Sequence, residues 1–215
     1  FGIADGAPAN NIARWNGVSW QTLGSGVNDE VRALAVYNGE LIAAGRFTNA
    51  GGLTVNKIAR WDGLNWQGMD SGMNGNVWAL TTFDDELIAG GYFTTAGGAS
   101  ANRIARWNGT TWQPLGVGMS EPVLTFTIFN DELIAGGAFN NAGGSPARRI
   151  ARWDGISWRP LSDGMDSFVY ALTVFNNELI AGGGFNTAGE AIASRIARWN
   201  GASWQPLGSG LDNIV

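Results

Sequence analysis

The sequence predicts an all-β fold, a β-propeller of four-stranded antiparallel blades with four complete blades and a partial fifth. Two observations carry this. The first is a fixed internal period. Ile12, Ile58, Ile104, Ile150 and Ile196 each open a copy of one stretch, seen in full as Arg103-Ile104-Ala105-Arg106-Trp107-Asn108-Gly109-Thr110-Thr111-Trp112, and each step is 46 residues without insertion or deletion. A strict period in this range marks a stacked-repeat or propeller architecture. The second is that each period divides into four short runs with strand patterning, and no run keeps a helical period.

The copy from Ile58 to Arg103 shows the elements in order. Lys57 to Trp61 alternates as a half-buried strand does, and Asp62-Gly63 turns it because Gly accepts positive φ. Asn65 to Met69 returns as a second strand. Asp70 to Asn76, rich in Gly, Ser and Asn, reads as a loop. Val77 to Phe83 is a third strand, turned by Asp84-Asp85, and Glu86 to Phe93 is a fourth, mostly apolar one. Thr94 to Arg103 reads as a ten-residue loop. The chain as a whole reads as a single propeller domain, 1–215. Its repeats are 12–57, 58–103, 104–149 and 150–195, with a partial repeat made of 196–215 and 1–11. First strands of the outer type recur five times, but hairpins starting at Val31, Val77, Val123 and Val169 recur only four times. This mismatch leads us to expect further repeats, or partner strands, to complete the ring. Identity among the copies points to recent amplification or to design.

Composition narrows the chemistry. The chain has no Cys and no His, which excludes disulfides and thiolate metal sites and removes the commonest general base and metal ligand. Net charge is −5, and twelve Arg stand against one Lys. No basic tract is present beyond Arg148-Arg149 with Arg152, so a nucleic-acid partner is not expected. No apolar run is long enough to span a bilayer. Phe1 to Asp5 lacks the basic and apolar regions of a signal peptide. No EF-hand loop, P-loop, dinucleotide fingerprint or nucleophile elbow occurs. No cofactor or metal is expected.

Ten of the eleven Trp fall in five pairs, Trp15/Trp20, Trp61/Trp66, Trp107/Trp112, Trp153/Trp158 and Trp199/Trp204. A residue that recurs once per blade reads as packing, so Trp15, Trp61, Trp107, Trp153 and Trp199 are assigned to the interfaces between blades. Trp78 is the exception. Glu40, Glu86, Glu132 and Glu178 open the strand before the Gly pair, and Arg14, Arg60, Arg106, Arg152 and Arg198 each precede a Trp. Both signs at fixed offsets read as inter-strand ion pairs or Arg stacked on Trp; Arg60, Arg106, Glu86 and Glu132 are therefore structural here. A catalytic group would appear once, where the site is, and no catalytic residue is singled out. Strand alternation puts the tight turns on one face and both sets of longer loops on the other. Candidate binding residues lie on that long-loop face: Asn56, Asn102, Arg148, Arg149 and Ser194 in one loop set, and Asp29, Asn74, Ser120 and Asp166 in the other.

Leu87-Ile88-Ala89-Gly90-Gly91, followed by Arg103 to Gly109, Trp112 and Val123 to Phe129, resembles the kelch motif of an apolar strand ending in Gly-Gly with aromatics downstream. The match returns at Leu133 to Gly137 with Trp153 and Trp158, and at Leu179 to Gly183 with Trp199 and Trp204. The first copy departs from it with Ala44-Gly45, and Trp replaces the usual kelch Tyr at Trp61, Trp107, Trp153 and Trp199. The resemblance covers nearly the whole chain. It implies that Val77–Phe83 and Leu87–Phe93 are the inner strands of a blade and that Ile104–Trp107 and Trp112–Leu115 are its outer strands. It also implies a non-enzymatic interaction scaffold of bacterial type, with a protein partner on the long-loop face. The copper oxidase branch of kelch proteins needs His and a Cys-linked Tyr, which this chain lacks. The alternative is a lectin-like carbohydrate binder, with loop residues or Trp78 stacking on sugar. An extracellular or cell-surface location fits the resemblance and the Lys-poor, Asn/Gly/Thr-rich composition.

Overall fold

The computed structural model describes residues 1–214, and among these every regular element is a strand. Four antiparallel sheets of four strands repeat. The first runs Val31–Tyr37, Glu40–Gly45, Ile58–Trp61, Trp66–Gly68, in that spatial order. The others are its copies, beginning at Val77, Val123 and Val169 and ending at Pro114, Pro160 and Pro206. Each sheet therefore joins the inner hairpin of one sequence repeat to the outer hairpin of the next. The lone outer hairpin Ala13–Trp15 with Trp20–Thr22 stands as a two-stranded sheet. The chain packs as two compact units, residues 1–101 with 105–113, and residues 102–104 with the chain from Pro114 onward.

Within the first unit the inner strand Val31–Tyr37 packs against Val77–Phe83, and within the second Val123–Phe129 packs against Val169–Phe175. The second strand of each blade is covered on both faces, so Leu87, Ile88, Ala89, Gly90 and Gly91 are all buried. That double burial is why this run reads as continuously apolar instead of alternating. The Gly pair has a separable logic. A Cβ on Gly45, Gly91, Gly137 or Gly183 would lie 2.0–2.3 Å from the carbonyl oxygen of Glu30, Asn76, Pro122 or Phe168. The second position must therefore be Gly. The first position accepts Ala44, which is fully buried beside Val77.

The ten-residue loops hold more structure than their sequence suggests. Asn49–Ala50 pairs with Leu53–Thr54 across Gly51-Gly52, whose φ values of 61° and 88° make a type I′ turn. The same small hairpin recurs at Thr95–Ala96, Asn141–Ala142 and Thr187–Ala188. Bridges Val27↔Ala50, Met73↔Ala96, Met119↔Ala142 and Met165↔Ala188 tie both loop sets together, so the two sets share a face. At the opposite end, Asp84-Asp85, Asn130-Asp131 and Asn176-Asn177 take positive φ at both positions, which Asp and Asn tolerate better than other side chains.

The Trp pairs hold neighbouring repeats together. Their rings lie 5.3–5.7 Å apart in all five copies. Nε1 of Trp66, Trp112, Trp158 and Trp204 donates to the carbonyl of Leu23, Met69, Leu115 and Leu161, each in the preceding repeat. The N-terminal pair differs. Trp15 is 54% and Trp20 47% exposed, so the packing role expected of Trp15 is not fulfilled among the described residues. Among the described residues, the hairpin that carries it pairs with no further strand.

The strand charges pair as ion pairs. Arg60–Glu40, Arg106–Glu86, Arg152–Glu132 and Arg198–Glu178 approach to 2.9–3.3 Å. The arginine side chains remain 41–44% exposed, which limits their energetic weight. Glu86→Gln is expected to lower stability by less than about 1 kcal/mol, as screened pairs do; urea denaturation checks this.

The outer turns are closed by a side-chain cap. Asp154 accepts from the backbone N–H of Ser157 and Ile156 and from Arg159, and Asp62 accepts from the backbone N–H of Asn65 and Leu64. These bonds, led by Ser157 for Asp154 and by Asn65 for Asp62, hold both carboxyls below the usual Asp range. Their folded values are depressed, so the stability they contribute is present above the ordinary Asp value near pH ~4 and is lost as pH falls. Asn16, Asn108 and Asn200 make the same cap without titrating. The double variant Asp62→Asn/Asp154→Asn is therefore expected to lose less stability than the native chain between about pH 5 and about pH 2; thermal melts across that range measure it.

Candidate functional site

The residues singled out on the long-loop face are largely occupied in holding the loops. Oδ1 of Asn74 and of Asp166, and Oγ of Ser120, each accept two backbone N–H groups from the small hairpin opposite. Asn28 makes the same cap in the first copy. Asp29 caps the N–H of Glu30. Asn56 and Asn102 donate to the carbonyls of Ser71 and Val117. The carbonyls of Arg148 and Ser194 accept from Met165 and Leu211. Arg149 sits at φ 67°, donates to the carbonyl of Ala138 and lies 5.2 Å from the Phe168 ring centroid. Lys57 and Arg195 repeat its backbone contact on Arg46 and Gly184. A polar loop residue with a fixed partner in every copy is scaffold first.

The side chains that change most in chemistry lie one step further in. Each inner strand begins with a β-bulge, at Val31/Ala33, Val77/Ala79, Val123/Thr125 and Val169/Ala171. Bulges re-aim side chains at strand ends. Three positions surround each one. The residue before the strand bonds across to the residue after the Gly pair, as Arg46 N–H to Glu30, Tyr92 to Asn76, Ala138 to Pro122 and Gly184 to Phe168. The bulged residue itself is the third. The first blade reads Glu30, Arg32, Arg46; the second Asn76, Trp78, Tyr92; the third Pro122, Leu124, Ala138; the fourth Phe168, Tyr170, Gly184. Repeats that are otherwise near-copies thus place ions, aromatics, aliphatics and a notch at one geometric position.

In the first blade Glu30 takes Arg32 at 2.7 Å and Arg46 at 3.9 Å, with all three side chains about half exposed. In the second, Trp78 is 36% and Tyr92 52% exposed. In the fourth, Phe168 meets Tyr170 edge-on at 6.1 Å, and a Cβ on Gly184 would lie 3.3 Å from Ser167 Oγ and 3.7 Å from the Tyr170 ring. Sequence reasoning noticed Trp78 as unpaired but missed the set. Writing the four copies beneath one another and asking where chemistry, not merely identity, changes would have found it.

Comparison with known proteins agrees with this architecture. A β-propeller domain of unknown function, DUF5122, matches residues 84–109. No curated protein matches. Among solved structures, the WD40 β-propeller domain of Doa1 aligns with a TM-score of 0.58 at 17% identity, covering 88% of this chain. The chain spans 58% of the length of that structure. The computationally designed Ika4 protein aligns with a TM-score of 0.52 at 19% identity, covering 81% of this chain and 92% of Ika4. Together with the repeated four-stranded sheets, these establish the β-propeller fold.

Proposed function

We propose that this chain is a non-enzymatic binding module that contacts a protein partner through the bulge positions of its blades, those of the first unit (Glu30, Arg32, Arg46, Asn76, Trp78 and Tyr92) above all. One observation supports the reading above the others. Divergence among near-identical repeats concentrates its largest chemical changes at Glu30/Arg32/Arg46, Asn76/Trp78/Tyr92 and Phe168/Tyr170/Gly184, where a rigid scaffold presents half-exposed side chains. Exposed Trp, Tyr and Arg are the residue types that anchor protein interfaces. The absence of enzymatic activity is part of the proposal, supported by strand carboxylates that each hold an arginine. The kelch-like reading rests on the Gly-Gly strand and the downstream Trp pair, and an extracellular or cell-surface setting on the Lys-poor composition.

The test is capture of a partner from the source cells, followed by reconstitution with the purified partner. Trp78→Ala/Tyr92→Ala is expected to weaken binding by about tenfold or more while leaving the circular dichroism unchanged. The half-exposed rings of Trp78 and Tyr170 favour a second reading, carbohydrate stacking. A glycan panel that gives no binding at millimolar sugar excludes it.

A further inference from the structure

The end of the first inner strand carries a departure from the repeat. Phe83, Phe129 and Phe175 stand where the first copy has Tyr37. Tyr37 is 9% exposed, and its added hydroxyl makes no hydrogen bond among the described residues. It is not one of the fully enclosed unpaired atoms either, so it opens onto space that the side chain lines. A phenol oxygen taken into a core position without a protein partner loses water and gains nothing in exchange. Packing alone is served by Phe in the other three copies and does not call for Tyr.

That space is a cavity of about 290 Å³ within the first unit, lined by Tyr37, Asn38, Glu40, Arg60, Met69 and Trp107, among others. Its polar groups have bonding capacity to spare. Arg60 donates to Oε2 of Glu40 at 2.9 Å, and this is the only side-chain hydrogen bond of either residue among the described residues. The other carboxylate oxygen and the remaining guanidinium N–H groups can still bond. Trp107 is 8% exposed, and its indole N–H makes no hydrogen bond among the described residues, whereas that of Trp112 donates to Met69. The second unit supplies an internal comparison. The equivalent cavity there holds about 220 Å³ and is lined by Phe129, Asn130, Glu132, Arg152, Leu161 and Trp199, among others. It lacks the hydroxyl, and Arg152 reaches both oxygens of Glu132, at 3.4 and 3.1 Å.

We propose that the Tyr37 cavity is a binding site for a neutral, polyhydroxylated molecule the size of one sugar ring. Glu40 supplies an acceptor, Arg60 and Trp107 supply donors, and Tyr37 can do both. Hydroxyls on neighbouring carbons match such a set, because each of them also donates and accepts. The Arg60–Glu40 pair carries one charge of each sign, so neither an anion nor a cation is favoured over a neutral ligand. Tyr37, Met69 and Trp107 add apolar surface for the C–H groups of a ring. The volume lies near the lower end of small-molecule sites, about 300 Å³, and so admits a single ring. The site sits beside the tight turn Asn38-Gly39, away from the bulge positions, and either reading can fail without the other.

The probes are uncharged monosaccharides (hexoses, pentoses and N-acetylhexosamines), each also tried as the end residue of an oligosaccharide. They are titrated into the purified protein and followed by calorimetry and by the indole N–H resonances. At least one is expected to bind saturably with a Kd of about 1 mM or below. It should shift the Trp107 indole resonance, leave that of Trp199 in place, and keep its affinity as salt is raised. Tyr37→Phe should weaken binding about fivefold or more with an undiminished melting temperature, because Phe already serves at this position in the other copies. Glu40→Gln should weaken it about tenfold or more. Both results support the proposal, whether the sugar binds equally well alone, as a free ligand, or better as a glycan end. Absence of saturable binding across the panel overturns it. So does binding that survives Tyr37→Phe and Glu40→Gln unchanged, or that falls as salt is raised. Binding lost in Trp78→Ala but native in Tyr37→Phe would overturn it too, because the sugar would then sit at the bulge positions.

Discussion

Trp112→Ala is expected to lower stability by about 3–5 kcal/mol, and Trp20→Ala by about 1 kcal/mol or less. The two residues occupy the same place in their repeats. Trp112 is 2% exposed, sits in the cluster with Met69, Met73, Ala96 and Ala101, and donates to the carbonyl of Met69 at 3.2 Å. Its removal leaves a cavity the size of an indole and an unpaired buried carbonyl, and both effects add. Trp20 is 47% exposed, so its truncation opens no cavity. Guanidinium denaturation of each variant, followed by circular dichroism so that the lost fluorophore does not interfere, separates the two outcomes. Equal losses would mean that the indoles do not join the repeats.

Gly183→Ala is expected to cost about 3 kcal/mol or more, against about 1 kcal/mol for Gly109→Ala. A Cβ on Gly183 would stand 2.1 Å from the Phe168 carbonyl oxygen. Both atoms belong to backbones fixed in adjacent strands, so neither yields without moving the bulge that carries Tyr170. Gly109 lies at φ 97° with nothing within 4 Å of its Cβ direction. It therefore carries only the conformational cost of a side chain in the left-handed region. Thermal melts of the two variants test the difference. If the Phe168/Tyr170 surface binds a partner, Gly183→Ala should weaken that binding as well, although its own side chain touches no ligand.

Much of this was legible in the chain. The 46-residue period, the Asp-Gly and Asn-Gly turns and the alternation of strands such as Val77–Phe83 lead to the four-stranded sheet, because pattern and turn chemistry act locally. The Arg60–Glu40 type of pair was legible for the same reason: two opposite charges at fixed offsets on paired strands must meet. The small hairpins inside the long loops were harder to see, since two-residue strands such as Asn49–Ala50 have no periodicity to read. Gly51-Gly52 was the available signal. The candidate residues read from the sequence and the proposed contact positions lie one strand step apart. Variable polar residues such as Asn74 and Asp166 look like binding groups in a sequence, yet their oxygens close backbone gaps in the loops. The bulge that re-aims Arg32, Trp78 and Tyr170 depends on a register shift between strands, and register belongs to the pairing of strands. The exposure of Trp15 was hidden because its sequence is that of a buried copy.

The central claim, that the bulge positions are the contact surface, is tested most directly by titration calorimetry of the purified, reconstituted partner. Native protein, Trp78→Ala/Tyr92→Ala and a control, Leu64→Ala/Ile156→Ala, should be compared. Leu64 and Ile156 are 81% and 86% exposed at the outer turns of the opposite face, so they report on nonspecific apolar contact. Affinity that falls about tenfold or more in the first variant and stays native in the control is the predicted result. Native affinity in the first variant with a loss in the control would contradict the claim and move the binding surface to the tight-turn face.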